Sequence, residues 1–148
     1  MVSAQRGFTY LGVLFALAIL SGGLALAGEM WDTAAQRERE AELLFIGNEY
    51  RVAIRRYYHA GPHRQYPASL EDLIEDPRRP GVERYLRRLY LDPITGGEWV
   101  PIKGPEGIVG VHSSSEAAPI KIGGFAVRDA AFEEARRYSD WRFVHSKW

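Results

Sequence analysis

The hydrophobic positions of the chain are concentrated near its N-terminus. No side chain between Phe8 and Gly28 carries a charge, and Arg6 and Glu29 are the charged residues that bound this run. About 20 residues at roughly 1.5 Å each cross the roughly 30 Å hydrocarbon core of a bilayer, where the backbone must satisfy its own hydrogen bonds. The run therefore predicts a transmembrane helix over residues 8–28, and Arg6 favours a cytoplasmic N-terminus.

Helical patterning continues beyond the apolar run, although its character changes. Residues 36–40 have mixed charge and are predicted to be solvated, and apolar side chains then recur at steps of three and four, the spacing of one helix face. This stripe contains Leu43, Ile46, Tyr50, Ala53 and Tyr57, widened by Leu44, Gly47, Ile54 and Tyr58. Gly61 and Pro62 end it. The pattern predicts one helix over about residues 8–59, whose amphipathic part, residues 29–60, packs against a small domain.

That domain, residues 61–148, is predicted to be an α+β head with short helices and a small antiparallel sheet. An N-cap pattern and a helical spacing of apolar residues predict the helices, and short apolar runs between turn residues predict the strands. The expected helices are 69–75, with Ser69 as its N-cap, and 82–89, and a helical turn is expected at 132–138. The expected strands are 98–102, 108–113, 120–122 and 141–145, and a hairpin turn at 103–107 joins the first two.

Charge and cysteine content exclude several classes of function. The 19 basic and 19 acidic side chains balance, so the chain has no global field that would hold nucleic acid, and no nucleic-acid partner is predicted. The sequence has no cysteine. A thiol nucleophile, a disulfide framework, a lipidation site and a thiolate metal site are therefore all excluded.

The polar residues predict no enzyme, metal site or cofactor site. His59 and His63 have a metal-binding spacing, but a Gly-Pro turn lies between them, so they do not share a helix face. His112, the three serines after it and Asp140 supply the residue types of a Ser-His-Asp triad. The Gly-x-Ser-x-Gly elbow is absent, however, and the serines are expected to act in turns and caps.

The residues at the start of the apolar run form a motif. Arg6-Gly7-Phe8-Thr9-Tyr10-Leu11 places a basic residue and a glycine directly before Phe-Thr and the apolar helix. This motif resembles the leader junction of type IV pilins and type II secretion pseudopilins. The resemblance implies that residues 1–7 are a leader peptide, that prepilin peptidase cuts between Gly7 and Phe8, and that the new amino group of Phe8 is methylated. Cleavage there leaves the anchor in the mature chain.

The resemblance extends into the head. The stretch from Tyr66 to Asp72, then Tyr85-Leu86 and Leu91-Asp92-Pro93, is similar to the corresponding part of the major, G-type pseudopilins. It implies a pilin-like fold and a structural role in a type II secretion or type IV pilus-like filament. The implied partners are other pilin or pseudopilin subunits, prepilin peptidase and the inner-membrane assembly platform. The implied location is the bacterial inner membrane, crossed once, with the head in the periplasm.

The chain departs from the family pattern in two places. The family usually has Glu at the fifth residue of the mature chain, where this sequence has Gly12. The resemblance assigns that carboxylate to pairing with a neighbouring subunit's terminal amine, since an unpaired charge in lipid is costly. Family members of the G type often hold calcium in an acidic C-terminal loop. Here Glu116, Asp129 and Asp140 are widely spaced, and calcium needs six to eight oxygens, so no calcium site is predicted.

Two other interpretations of the apolar run stay open. Ala25-Leu26-Ala27 is a small-x-small site of the kind that signal peptidase cuts, which predicts a soluble periplasmic domain released after Ala27. A plain signal anchor instead predicts a membrane-tethered module that never assembles. The first residue of the mature chain distinguishes the three hypotheses, because it is Phe8, Gly28 or Met1 respectively.

Overall fold

The computed structural model describes residues 4–61, 63–81 and 83–145, although the side chains of 4–9 and 21–30 lie outside the description. The chain divides into two compact units, Met1–Gln36 and Arg37–Trp148. It combines one long helix with a small antiparallel sheet. The predicted α+β class is therefore confirmed at that level.

Helix α1 spans Ala4–Ala60. It ends directly before Gly61, as the sequence predicted, because a following Gly-Pro pair supplies neither a helical propensity nor a backbone donor. The predicted apolar stripe is buried in the second unit. Its buried members are Leu43, Ile46, Tyr50, Ala53, Ile54, Tyr57 and Tyr58. This face of α1 supplies one wall of the head's hydrophobic core.

The other wall is a three-stranded antiparallel sheet with the order β1-β2-β3. Strands β1 (Val100–Gly104) and β2 (Gly107–His112) form the predicted hairpin, and β3 (Phe143–Val144) pairs with β2 within the predicted 141–145 segment. Gly107 closes the hairpin turn with a φ of 132°, a conformation that side-chain-bearing residues rarely adopt.

Glycine permits close packing around Phe143, both between α1 and the sheet and between β2 and β3. A Cβ on Gly47 would lie 2.5 Å from carbons of the Phe143 ring, and a Cβ on Gly110 would lie 2.5 Å from the Phe143 carbonyl oxygen. Phe143 in turn packs edge-on against Trp99 and Phe132. The sheet therefore contacts α1 through the Phe143 ring, which packs directly against Gly47.

Two predicted helices are wrong or too long. The segment 83–89 is not helical: the backbone N–H groups of Tyr85 and Leu86 both donate to the Leu73 carbonyl oxygen at 2.9 Å. Residue 82 lies outside the described residues. The predicted 69–75 helix is reduced to one 3₁₀ turn, Glu71–Leu73. Ser69 is not its N-cap; instead its backbone N–H donates to the Asp72 carboxylate at 3.1 Å.

The C-terminal half of the head also differs from the prediction. The expected strand at 120–122 is absent from the described structure, because the backbone N–H groups of Ile120 and Lys121 bond to a side chain of α1 rather than to a strand. The expected helical turn at 132–138 appears as two 3₁₀ segments, Val127–Glu134 and Tyr138–Asp140.

Candidate functional site

The first candidate surface is the part of α1 between residues 10 and 20. Every large apolar side chain in it is exposed, and the exposed fraction reaches 71 % for Phe15. The set consists of Tyr10, Leu11, Val13, Leu14, Phe15, Leu17, Ile19 and Leu20. Because successive residues of an α-helix are about 100° apart, these side chains surround the helix. A helix that is apolar on all sides requires an apolar environment, either lipid or other helices.

The predicted transmembrane helix at 8–28 includes residues 8, 9 and 21–28, whose side chains lie outside the described set. Within the described part of the chain, no helix has a stretch that is long and apolar enough to cross a membrane. The bilayer span thus stays a prediction from the sequence.

The structure describes the surroundings of the predicted assembly position, Gly12, but not those of the predicted processing site. Gly7 and Phe8, the predicted cleavage and methylation site, lie in α1, but their side-chain environment is outside the description. Gly12 lies in the exposed apolar segment, and a Cβ at this position would meet no atom within 4 Å. No contact within the described chain therefore requires glycine at position 12.

A buried carboxylate in the head was not foreseen from the sequence. Glu40 belongs to the stretch that was predicted to be solvated, yet it is only 2 % exposed. Its Oε1 accepts hydrogen bonds from the Ile120 backbone N–H at 2.5 Å and from the Tyr138 hydroxyl at 2.8 Å, and its Oε2 accepts one from the Lys121 N–H at 3.2 Å. Glu40 thereby holds the loop that contains residues 120 and 121, called the C-terminal loop below, against α1. The prediction failed because alternating Arg and Glu do not indicate which of them a distant loop covers.

A second buried carboxylate, Asp76, organises the segment before the hairpin. Arg78 donates to both of its oxygens, from Nε at 2.8 Å and from Nη2 at 2.7 Å, and the Tyr85 hydroxyl donates at 2.9 Å. The Arg78 hydrogen bonds outweigh burial and lower the pKa of Asp76 to about 2. Burial first, and then the bond to Asp76, raise the pKa of Tyr85 to about 12. Arg78 also lies 3.6 Å over the Tyr57 ring, which ties this cluster to α1.

The residue types of a Ser-His-Asp triad do not come together as a triad. The Ser113 hydroxyl donates to Asp92 at 2.6 Å, and Nδ1 of His112 lies 2.8 Å from the Ser113 carbonyl oxygen. Asp140 instead accepts from the backbone N–H groups of Arg136 and Arg137, both at 3.1 Å. Ser113 and Asp140 therefore stabilise turns, which is the role that the sequence favoured for the serines.

Asp92 is the centre of the turn that Ser113 contacts. It is fully buried, and it accepts hydrogen bonds from the Thr95 hydroxyl and from the Ile94 N–H, each at 2.9 Å. Its own backbone is bonded to Gly96 and Gly97. Side-chain and backbone bonds thus fold residues 92–97 into a closed turn, which explains the Asp-Pro-x-Thr-Gly-Gly sequence in structural terms.

Two of the histidines contact each other, and acidic residues of the C-terminal half form ion pairs elsewhere. The His59 ring contacts His145, with ring centroids 5.9 Å apart. Glu116 pairs with Arg137, and Asp129 pairs with Arg51 at 2.7 Å. Among the described residues, no group of three or more His, Cys, Asp or Glu side chains is placed to hold a metal ion.

Comparison of the chain with protein-family models, with curated proteins and with solved structures finds no match in any of the three.

Proposed function

We propose that this chain is a structural subunit, a pseudopilin or minor pilin, of a type II secretion or type IV pilus-like filament. The observation that supports it best is the exposed apolar segment at residues 10–20, which belongs to a helix that continues to Ala60. In the inner membrane such side chains contact lipid, and in a filament they contact the helices of neighbouring subunits. The work of the protein is then mechanical, since assembly moves cargo or extends a fibre.

We further propose that the head has a pilin-like fold and that the chain is located in the inner membrane. The part of α1 beyond Arg37 packs on a small sheet, and this arrangement is compatible with a pilin-like head. The N-terminus would be cytoplasmic and the head periplasmic, with prepilin peptidase and the inner-membrane assembly platform as partners. Because Gly12 offers no carboxylate to a neighbour's terminal amine, the axial position of a subunit would be set by the packing of apolar side chains.

The first test is the N-terminal sequence and mass of the mature chain in its native host. N-methylated Phe8 is expected. Gly28 would contradict the proposal and indicate a released periplasmic domain, whereas an intact Met1 would indicate a tethered module. Gly7→Val should prevent cleavage because it adds bulk at the scissile bond. Gly12→Val is the matched control, since its Cβ meets no atom within 4 Å, and it should be processed normally.

The second test addresses assembly, and it uses the absence of cysteine from the sequence. A single Phe15→Cys substitution places the only thiol of the chain in the exposed apolar segment. In cells that contain the complete secretion or pilus apparatus, oxidation should yield disulfide-linked dimers. Leu91→Cys, at an exposed apolar position of the head, is the matched control and should yield far fewer. Equal yields from the two variants would contradict assembly through the N-terminal helix.

A further inference from the structure

A basic concavity of about 370 Å³ lies on the head, where α1 faces β3. Arg51 and Arg55, one turn apart on α1, line it together with Arg128 and His145. Within the part of the chain that the structure describes, no carboxylate lines it. Four nitrogen-bearing side chains that can be cationic thus surround one small space.

Asp129, the carboxylate that forms ion pairs with two of these arginines, does not neutralise the whole group. Asp129 accepts a hydrogen bond from Nη2 of Arg51 at 2.7 Å, and its other oxygen lies 3.5 Å from Nε of Arg128. Among the described residues, Arg55 takes part in no ion pair. Arg51 and Arg128 therefore share one carboxylate and Arg55 has none, which leaves an excess of two positive charges among the described residues.

Polar atoms of two residues that line the concavity also lack hydrogen-bond partners. Nε and Nη1 of Arg51 and Nε2 of His145 are buried, and none has a hydrogen-bond partner within the described chain. Buried polar groups nearly always have a hydrogen-bond partner in folded proteins. A guanidinium stays protonated, so its N–H groups remain donors that need acceptors. The Phe143 ring, 5.4 Å from the Arg51 guanidinium carbon, offers a π face but no oxygen acceptor.

Burial is the main cause that lowers the pKa of His145, and the charges of His59 and Arg55 lower it further. A neutral imidazole still offers one N–H donor. The concavity thus favours a ligand that is anionic and that accepts several hydrogen bonds.

We propose that this concavity binds an oxyanion, a phosphate or a carboxylate group, between Arg51, Arg55 and Arg128. Planar guanidinium groups bind the oxygens of such ions in pairs, and the excess of two charges matches a phosphate dianion. A free ion and an acidic side chain of a partner protein both have this chemistry. The inference goes beyond the proposed function and does not depend on it.

The test uses the full chain in a non-ionic detergent, labelled with ¹⁵N-arginine so that the Nε–H resonances can be followed. Inorganic phosphate is titrated against sodium chloride of equal ionic strength, and a short Glu-containing peptide is titrated separately. Phosphate should shift the Arg51 and Arg55 resonances saturably. Arg55→Gln should weaken the phosphate Kd about tenfold, the effect of losing one charge-assisted hydrogen bond.

Arg56→Gln is the matched control, because Arg56 is the next residue of the helix, is exposed and does not line the concavity. It should change the Kd by less than about twofold. Saturation by phosphate alone assigns the site to a free ion, and tighter binding of the peptide assigns it to a partner's acidic segment. Shifts no larger than those in chloride for both probes, or equal weakening by Arg56→Gln, would overturn the proposal. Equal melting temperatures of the two variants in chloride exclude a folding defect.

Discussion

Replacement of Glu40 by alanine should detach the C-terminal loop from α1. Glu40 is 2 % exposed and accepts hydrogen bonds from three donors, two of them the backbone N–H groups of Ile120 and Lys121. Each hydrogen bond to a charged group contributes about 1.5–3 kcal/mol, and the lost bonds leave donors that water must reach by opening the loop. Since the desolvation cost of the carboxylate disappears as well, we expect a net loss of about 3 kcal/mol in the free energy of unfolding.

Hydrogen–deuterium exchange with mass spectrometry measures this effect locally, on the full chain in a non-ionic detergent. A loss of about 3 kcal/mol corresponds to roughly a hundredfold faster exchange of the amides of residues 120 and 121. Glu42→Ala is the matched control, because Glu42 is exposed on the same helix, and it should leave these amides protected. If exchange at 120 and 121 is the same in Glu40→Ala as in the unmodified chain, the assignment of Glu40 as the anchor of the loop is refuted.

Two further predictions concern the stability of the head. Because the pKa of Asp76 is lowered from 3.8 to about 2, its ionised form contributes about 2 kcal/mol above pH 4, and this contribution is lost as the pH falls from about 4 to 2. Urea unfolding at several pH values should show that loss in the unmodified chain and in the control Glu75→Gln, an exposed position. Asp76→Asn should not show it. Parallel curves of stability against pH for all three proteins would contradict the assignment to Asp76. Gly47→Val should lower the free energy of unfolding by about 2–3 kcal/mol, since even a Cβ would lie 2.5 Å from the Phe143 ring. Gly123→Val, where a Cβ meets no atom within 4 Å, should have little effect on the urea midpoint, and equal midpoints for the two variants would argue against the close contact.

Features that depend on neighbouring residues could be predicted from the sequence. The apolar stripe of α1 follows from its helical spacing, and the helix ends at Ala60 because a Gly-Pro pair follows. The hairpin follows from two β-branched runs that flank a turn of glycine and proline, and β1 and β2 lie within two residues of the predicted bounds. In each case the residues that form the sequence pattern lie within a few residues of the helix end or strand that they predict.

Features that depend on distant partners were decided only by the tertiary structure. Apolar residues at 82–89 have a helical spacing, but the segment bonds to the Leu73 carbonyl instead. The run at 120–122 has the composition of a strand, yet Glu40, about 80 residues earlier, accepts its N–H groups. The basic concavity likewise combines residues of α1 with Arg128 and His145. The physical reason is common to all three: backbone donors and charged groups take the partner that burial brings near them, and local sequence does not specify that partner.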